Sequence, residues 1–447
     1  MAERTLLKNI SIVNEGKIII SDILIEDGLI QKIGEIDNDT NTRVIDGIGK
    51  CVLPGIIDGQ VHFREPGLTH KGDLYTESKA AIAGGVTSFI DMPNTFPNVL
   101  TLEILNEKYK IAAEQSLANF GFFLGVNGDN IDEVIKLDTS KLLGVSDDGL
   151  YFTKKGNLLA DNPETMEKLF ANCKSIIAIH SEKEQIVEEN ENIYREKYGE
   201  DVPIEFHPII RSEKACFEAT KRAIELATKH NARLHILHLT TEAETHLFRN
   251  DIPLQEKNIT TEVSVHHLWF SDIDYQRLGT LIKWNPAIKT GKDKNGLLKA
   301  LLDDRIDTIT TDHAPHSIHE KLKPYFQSMS GAPMVQHSLN IMLEFFKQGL
   351  ISLEKIVEKM CHNPAILYRI EKRGFIREKY FADLAIVDLN ASWSVAKENI
   401  LYKCGWSPLE GKTFETKVTH TFVNGNLVYE NGNFREKIRG KALTMST

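Results

Sequence analysis

Short apolar segments alternate with longer amphipathic ones through the middle of the chain, and this alternation limits the folds that it can adopt. The amphipathic stretches, such as "RSEKACFEATKRAIELATKH", have the apolar spacing of surface helices. Strands that are apolar nearly throughout and alternate with helices are typical of parallel sheets. Eight such units predict an α/β fold of the (β/α)8 TIM-barrel type. The predicted strands are residues 55–62, 87–91, 120–126, 142–146, 175–180, 233–239, 259–265 and 308–312.

A doubly wound open sheet is the alternative architecture for the same alternation. Open sheets that bind dinucleotides carry a GxGxxG motif after an early strand, and this sequence has none there. The closed barrel is therefore the favoured prediction.

Both ends of the chain have a different character from the middle. "NISIVNEGKIIISDILIEDG" near the start and "VTHTFVNGNLVYENG" near the end consist of β-branched runs separated by turn signals. They predict a small β-sandwich domain formed by residues 1–52 and 375–447, with the barrel occupying residues 53–374.

Composition excludes several classes of function. A net charge of -10 without a lysine or arginine run argues against nucleic-acid binding. The sequence contains no apolar stretch long enough to cross a membrane and no signal-peptide core at its start. The five cysteines are scattered without a CxxC pair, which is typical of reduced thiols in a cytoplasmic protein. We expect a cytoplasmic protein that acts on a small molecule.

Side chains able to bind a metal follow most of the predicted strands. Active sites of (β/α)8 barrels lie at the carboxyl ends of the strands, and imidazole with carboxylate suits zinc. We expect His266 and His267 to be structural, because adjacent residues on a strand face opposite sides. The residues at the strand ends are, in order, Gln60 and His62, Asn94, Asn127, Asp147 and Asp148, His180, His238, His266 and His267, and Asp312.

Three residues at or just past the strand ends indicate chemistry beyond metal binding. Asp312, after the last strand, could bind a metal through one oxygen and transfer a proton with the other. Arg64, just past the first strand, offers a planar set of donors that fits a carboxylate. Asn94 offers one donor and one acceptor from the next strand end.

Six motifs, in order, identify a family. The segments "VHFREPG", "MPNT", "AIHSEKE", "LHLTT", "NPAIK" and "TDHAPH" resemble those of the dihydroorotases of the amidohydrolase superfamily, and the resemblance runs from about residue 5 to 430. It implies reversible hydrolysis of L-dihydroorotate to N-carbamoyl-L-aspartate in pyrimidine biosynthesis. Asp312 would serve as general acid and base.

The resemblance also implies a metal site. His62 and Asp312 would hold one zinc ion, and His180 and His238 would hold a second. The motif "GVSDDG" resembles the SDDG form of one dihydroorotase branch, so an aspartate would bridge the two ions. We assign Asp148 to this bridge, with Asp147 as the alternative.

The remaining site residues implied by the resemblance bind the substrate. Arg64, Asn94 and His316 would hold its carboxylate, and Asn285 would contact the ring or its amide. Allantoinases usually have asparagine in place of Arg64, and dihydropyrimidinases lack the FREPG stretch.

One residue departs from the family pattern. Where the family has His-x-His, this chain has Gln60 before His62. A neutral amide is a weaker ligand than imidazole, so we expect one tightly bound zinc ion and a second site that is loose or absent. Two alternative functions stay open: a catalytically silent homologue that acts as an assembly partner, and a hydantoinase-like or allantoinase-like cyclic amidohydrolase. A homodimer is compatible with the sequence.

Overall fold

A computed structural model describes residues 4–37, 40–150 and 158–446 of the chain. The amino-terminal strands are β1 (Thr5–Asn14), β2 (Lys17–Glu26), β3 (Leu29–Gly34), β4 (Arg43–Asp46) and β5 (Lys50–Pro54). The central strands are β6 (Ile56–Val61), β7 (Val86–Asp91), β8 (Asn119–Phe122), β9 (Leu124–Gly125), β10 (Gly144–Ser146), β11 (Ile176–Ile179), β12 (Leu234–Ile236), β13 (Ile259–Ser264) and β14 (Thr308–Thr310). The carboxyl-terminal strands are β15 (Leu384–Asp388), β16 (Trp393–Ser394), β17 (Thr413–Phe414), β18 (Lys417–Val423), β19 (Asn426–Glu430) and β20 (Asn433–Phe434).

The central strands form a closed parallel barrel. β6, β7 and β8 pair in that order, and β9 to β14 pair in chain order. Only Phe123 separates β8 from β9, so the two are halves of one strand. The barrel closes where the His62 backbone N–H donates to the His313 carbonyl at 2.8 Å, beside a parallel bridge from Val61. The predicted (β/α)8 barrel is confirmed.

Helices connect the strands and cover the barrel. The longer ones are amphipathic and most of them begin at side-chain caps, as in Ser212 before Glu213–His230. The α-helices are Leu74–Ala83, Leu102–Gln115, Ile131–Val134, Pro163–Asn172, Glu184–Tyr198, His207–Ile210, Glu213–His230, Glu242–Thr245, Val265–Trp269, Tyr275–Leu278, Gly291–Leu302, Ile318–Lys321, Ser338–Lys347, Leu353–Val357 and Asn363–Leu367, with a π-helical segment at Glu358–His362.

The two ends of the chain build one sheet together. Its strand order is β20-β19-β18-β15-β5-β1-β2-β3, with β4 paired to β1. The ends join where β5 pairs antiparallel with β15, for example Cys51 with Val387. The alternating apolar residues of these strands form a separate core that includes Leu7, Ile23 and Ile386. The predicted β-sandwich built from both termini is confirmed as architecture, and its bounds, residues 1–52 and 375–447, stay a prediction.

Two further expectations concern thiols and membranes. All five cysteines are free; Cys404 is half-buried and the other four are buried. Within the described ranges, every helix is too short or too polar to cross a membrane.

A buried aspartate fixes the first strand of the barrel against the last. The Asp58 carboxylate accepts hydrogen bonds from the Thr311 N–H at 3.1 Å and the Thr311 hydroxyl at 2.6 Å. Burial raises the pKa of Asp58 to about 7. This contact lies next to Asp312 and holds the ends of β6 and β14 together, where the site residues follow.

Candidate metal centre

Two groups of buried side chains meet at the carboxyl ends of the barrel strands, and Asp148 belongs to both. In the first, His180 Nδ1 lies 3.7 Å and His238 Nε2 lies 3.9 Å from Asp148 Oδ1. Those two ring nitrogens are 3.1 Å apart. In the second, His62 Nε2 lies 3.2 Å from Asp148 Oδ2 and 3.1 Å from Asp312 Oδ1. Each oxygen of Asp148 therefore faces a different group.

The spacing of these atoms fits a small divalent cation. Ligand atoms around a tetrahedral zinc ion, with bonds of about 2.0–2.1 Å, lie roughly 3.3 Å apart. The measured separations, from 3.1 to 3.9 Å, bracket that value. Two imidazoles and a carboxylate, or one imidazole and two carboxylates, are donor sets that suit zinc. Each group could hold a metal ion, with Asp148 between them.

The electrostatics of the site favour positive charge. Burial alone would lower the pKa of His62, but hydrogen bonds and charge attraction from Asp148 and Asp312 raise it to about 9. His180 has its pKa raised to about 9 against burial, by Asp148 and Glu182. Burial opposes the ionisation of Asp148, yet its histidine neighbours hold its pKa well below the usual value. The carboxylates thus stabilise a cation among them.

The two adjacent aspartates after β10 have different surroundings. Asp147 points into the backbone: its carboxylate accepts from the Leu159 N–H at 2.7 Å and the His180 N–H at 3.0 Å. Burial raises the pKa of Asp147 to about 7. Asp148 points to the histidines instead, so we propose Asp148 as the shared ligand.

Gln60 lies beside the shared carboxylate. Its Nε2 donates to Asp148 Oδ2 at 2.9 Å, and its Oε1 is buried without a hydrogen-bond partner among the described residues. Gln60 therefore binds the bridging side chain as a donor, where the family's histidine would supply a ligand atom. This contact adds no ligand to the group of His62 and Asp312.

A buried glutamate that the sequence analysis missed supports His180. The Nε2–H of His180 donates to Glu182 Oε2 at 2.9 Å, which leaves Nδ1 facing Asp148. Glu182 also pairs with Arg211. Metal-binding histidines commonly donate their second ring nitrogen to a carboxylate, which fixes the tautomer and the ring orientation. The glutamate is visible in the segment "HSE", but Glu182 lies beyond the strand. The alternation of side chains along a strand does not predict where a side chain points there.

Glu182→Gln should therefore weaken zinc binding by about 10–100-fold, because the amide keeps the size but loses the charge that holds His180. Titration of the purified protein with a competing chelator measures the affinity. Glu218→Gln is the matched control, since Glu218 forms a half-exposed ion pair with Lys183. Equal affinities for the two variants would contradict a supporting role for Glu182.

A small cavity opens beside the second metal group. It exposes three side chains that the sequence analysis assigned to substrate binding, Arg64, Asn94 and Asn285. His316, the fourth, is absent from the lining among the described residues; its Nε2 lies 3.1 Å from Arg64 Nη2. The full lining is His62, Arg64, Asn94, Asp148, Gly149, Trp284, Asn285, Asp312, Ala314, Ser330 and Gly331.

Asn94 also contacts a candidate metal ligand. His62 Nδ1 donates to Asn94 Oδ1 at 2.6 Å. This hydrogen bond sets the tautomer that turns the lone pair of His62 Nε2 toward Asp148 and Asp312. Asn94 thus orients a metal-binding ring as well as lining the cavity.

The prediction that His266 and His267 lie on a strand and face opposite sides was wrong. β13 ends at Ser264, and both histidines lie in the short helix Val265–Trp269, with ring centroids 4.2 Å apart. His266 stacks on Trp284 at 4.0 Å, and His267 hydrogen-bonds to the Pro286 carbonyl at 3.2 Å. Both contacts are structural, one a ring stack and the other a hydrogen bond to the backbone.

Comparison with known proteins identifies the family of the chain. The family model described as "Amidohydrolase family" matches residues 51–428. The chain is 33% identical to a dihydroorotase from Methanosarcina acetivorans, over 91% of this chain and 88% of that protein. It is 31% identical to a dihydroorotase from Pyrococcus abyssi, over 96% of each chain.

Solved structures agree on the fold. An L-hydantoinase (dihydropyrimidinase) from Arthrobacter aurescens superposes with a TM-score of 0.88 and 26% identity, covering 97% of both chains. A dihydropyrimidinase from Brevibacillus agri superposes with a TM-score of 0.89 at 21% identity and covers 99% of both chains. The chain therefore belongs to the amidohydrolase family, in the group of cyclic amidohydrolases that includes dihydroorotases and hydantoinases.

Proposed function

We propose that this cyclic amidohydrolase is a dihydroorotase, which converts L-dihydroorotate reversibly to N-carbamoyl-L-aspartate. The observation that supports it is that Arg64 is buried without an ion pair to a carboxylate among the described residues. Arg64 is only 5% exposed and lines the cavity with Asp148 and Asp312. Its hydrogen bonds go to the Pro315 carbonyl and His316, and among the described residues it forms no ion pair with a carboxylate. Asp312 and Asp148 attract this buried charge without forming an ion pair with it, and the ring carboxylate of dihydroorotate would supply an anion in direct contact.

The dihydroorotase relatives support the same substrate. The name dihydroorotase is that of the relatives, and their alignments cover more than nine-tenths of this chain. The resemblance to dihydroorotases supports a role in pyrimidine biosynthesis.

The site residues divide the reaction between orientation and proton transfer. Zinc held by His180, His238 and Asp148 would supply Lewis acidity, which lowers the pKa of a water molecule and polarises a carbonyl. Arg64 holds the ring carboxylate and so orients the amide that is cleaved. Asp312 accepts the proton from the attacking water and delivers it to the leaving ring nitrogen. In the reverse direction, Asp312 removes a proton from the carbamoyl nitrogen.

Arg64→Lys tests the carboxylate contact. Lysine keeps the charge but cannot form two parallel hydrogen bonds. The fall in kcat/KM for L-dihydroorotate should correspond to a loss of about 1–3 kcal/mol of transition-state stabilisation. The loss should be smaller for dihydrouracil, a ring without the carboxylate. Arg43→Lys is the control, because Arg43 pairs with Glu430 on the terminal sheet. Equal losses of Arg64→Lys on both rings would show that Arg64 supports structure.

A hydantoinase-like activity on neutral rings is the second candidate, favoured by the similarity to the L-hydantoinase structure. Arg64 opposes it, because a neutral ring leaves the buried guanidinium without an anion in direct contact. Comparing kcat/KM for L-dihydroorotate, hydantoin and dihydrouracil on zinc-analysed protein decides between them. A preference for the neutral rings would overturn the dihydroorotase proposal.

A further inference from the structure

A buried lysine lies behind one wall of the cavity. Two chain segments supply four of the lining residues, and we call these the two-segment wall: Trp284 and Asn285 from one segment, Ser330 and Gly331 from the other. Lys321, the last residue of the helix Ile318–Lys321, is fully buried and is absent from the cavity lining among the described residues. Nothing in the proposed reaction uses this side chain.

The side chain of Lys321 connects the two segments of the wall. Its Nζ donates to the carbonyl oxygen of Lys283, the residue before Trp284, at 3.1 Å. It also donates to the carbonyl oxygens of Met329 and Gly331, both at 2.8 Å. The Gly331 N–H donates to the same Lys283 carbonyl at 2.8 Å. The two segments therefore meet at the amino group of Lys321.

The three carbonyl partners identify the charged form of Lys321. Only an ammonium group has three N–H donors, and a neutral amine would direct a lone pair at one of the carbonyl oxygens. Burial lowers the pKa of Lys321 well below its usual value, and the charge of Glu320 opposes this shift. The three short contacts nevertheless require the ammonium form. An apolar side chain at this position would remove three hydrogen bonds at once.

Lys321 and the wall segment that it holds are also fixed on their other sides. The Lys321 carbonyl accepts from the Thr280 hydroxyl at 2.6 Å and from the Ser328 hydroxyl at 2.8 Å. Gly331 has a φ of 115°, and a Cβ atom there would lie 2.6 Å from the carbonyl oxygen of Ala314. Gly331 is thus held closely between Lys321 and Ala314, in a conformation that favours glycine.

We propose that Lys321 is a positioning residue for substrate binding, an inference that rests on the proposed function. It sets the width of the cavity by holding the two-segment wall together. Loosening this wall would weaken contacts with the ring in the ground state and in the transition state alike, which raises KM and leaves kcat nearly unchanged. The first metal group should keep its zinc, because its ligands His180, His238 and Asp148 follow other strands, β11, β12 and β10.

Lys321→Met tests this on zinc-analysed protein. Its KM for L-dihydroorotate should rise by about threefold or more while kcat changes less than about twofold. Zinc content per chain should equal that of the natural protein. A loss of zinc, or a fall in kcat at an unchanged KM, would overturn the inference.

Lys359→Met is the matched control. Lys359 is 1% exposed, and its Nζ donates to the Ile306 carbonyl at 2.7 Å. Ile306 precedes β14, so this contact lies at the amino ends of the strands, away from the cavity. Both variants should lose thermal stability, but only Lys321→Met should change KM. If Lys321→Met does not unfold as a single cooperative transition, Lys321→Gln and Lys359→Gln replace the pair under the same criterion.

The outcomes separate this inference from the function beneath it. If the natural protein cleaves L-dihydroorotate but the rise in KM stays below about threefold relative to the Lys359 variant, the role of Lys321 is wrong and the function stands. If it cleaves hydantoin or dihydrouracil instead, the proposed function fails, and the same comparison of KM on that ring decides the role of Lys321. If it cleaves none of these rings, both fail.

Discussion

Replacing Asp312 by asparagine should reduce turnover of L-dihydroorotate by about 10²–10⁴-fold, the usual contribution of a general acid and base. The amide is close in size but cannot accept and return a proton. Burial raises the pKa of Asp312, which brings this carboxyl closer to the range where it can exchange a proton near neutral pH. Its Oδ1 also faces His62 at 3.1 Å, so weaker metal binding would add to the loss.

The measurement is steady-state turnover per zinc bound, with the metal content of each preparation determined. Thermal unfolding of Asp312→Asn should remain cooperative. Asp251→Asn, at a surface pair with Arg249, controls for the loss of an aspartate elsewhere. If Asp312→Asn keeps more than about a tenth of the rate, far above that expected for a lost acid and base, the assignment of proton transfer to Asp312 is wrong.

The barrel was predictable because its signal is periodic and repeated. Eight apolar segments separated by helical patterns admit few parallel architectures. An error of a few residues at one strand, such as β12 ending at Ile236 and not at Leu239, does not change the topology. The strand ends located the site for the same reason. Since parallel strands bring their carboxyl ends to one face, metal-binding side chains that lie far apart in sequence were expected to converge.

Local geometry at the strand ends was not predictable. Arg64, His238 and Asp312 have φ of 69°, 37° and 43°, a left-handed conformation that residues with side chains rarely adopt. Strand alternation ends where the backbone turns this way, so it cannot give the direction of those side chains. Such conformations cluster at functional sites, where surrounding contacts hold them.

The sequence also could not decide which of two adjacent aspartates faces the histidines. Asp147 and Asp148 have the same chemistry, and only the partners decide: backbone N–H groups for Asp147, histidines for Asp148. Glu182 was missed because it acts through the His180 ring, whose orientation is set by the fold.

Gln60→His should produce the largest change in metal content. In the natural protein we expect one zinc ion per chain after dialysis, held by His180, His238 and Asp148. The second group has His62, Asp312 and a share of Asp148, and Gln60 donates to that shared carboxylate. Position 60 is fully buried and already directed at Asp148, so an imidazole there would add a strong ligand beside His62. Occupancy of the second site should rise from below about a tenth to near one.

Elemental analysis after dialysis against a weak chelator measures this. Gln60→Leu is the matched control, because it removes the hydrogen bond to Asp148 without adding a ligand. A gain in zinc content that is seen only with Gln60→His is then due to the imidazole. Two zinc ions retained by the natural protein would refute the one-metal proposal. No retained zinc together with no turnover of L-dihydroorotate would favour the silent homologue instead. Activity need not follow the second ion, because one metal with an open position is sufficient to activate water, and zinc content therefore tests the role of Gln60 more directly than rate does.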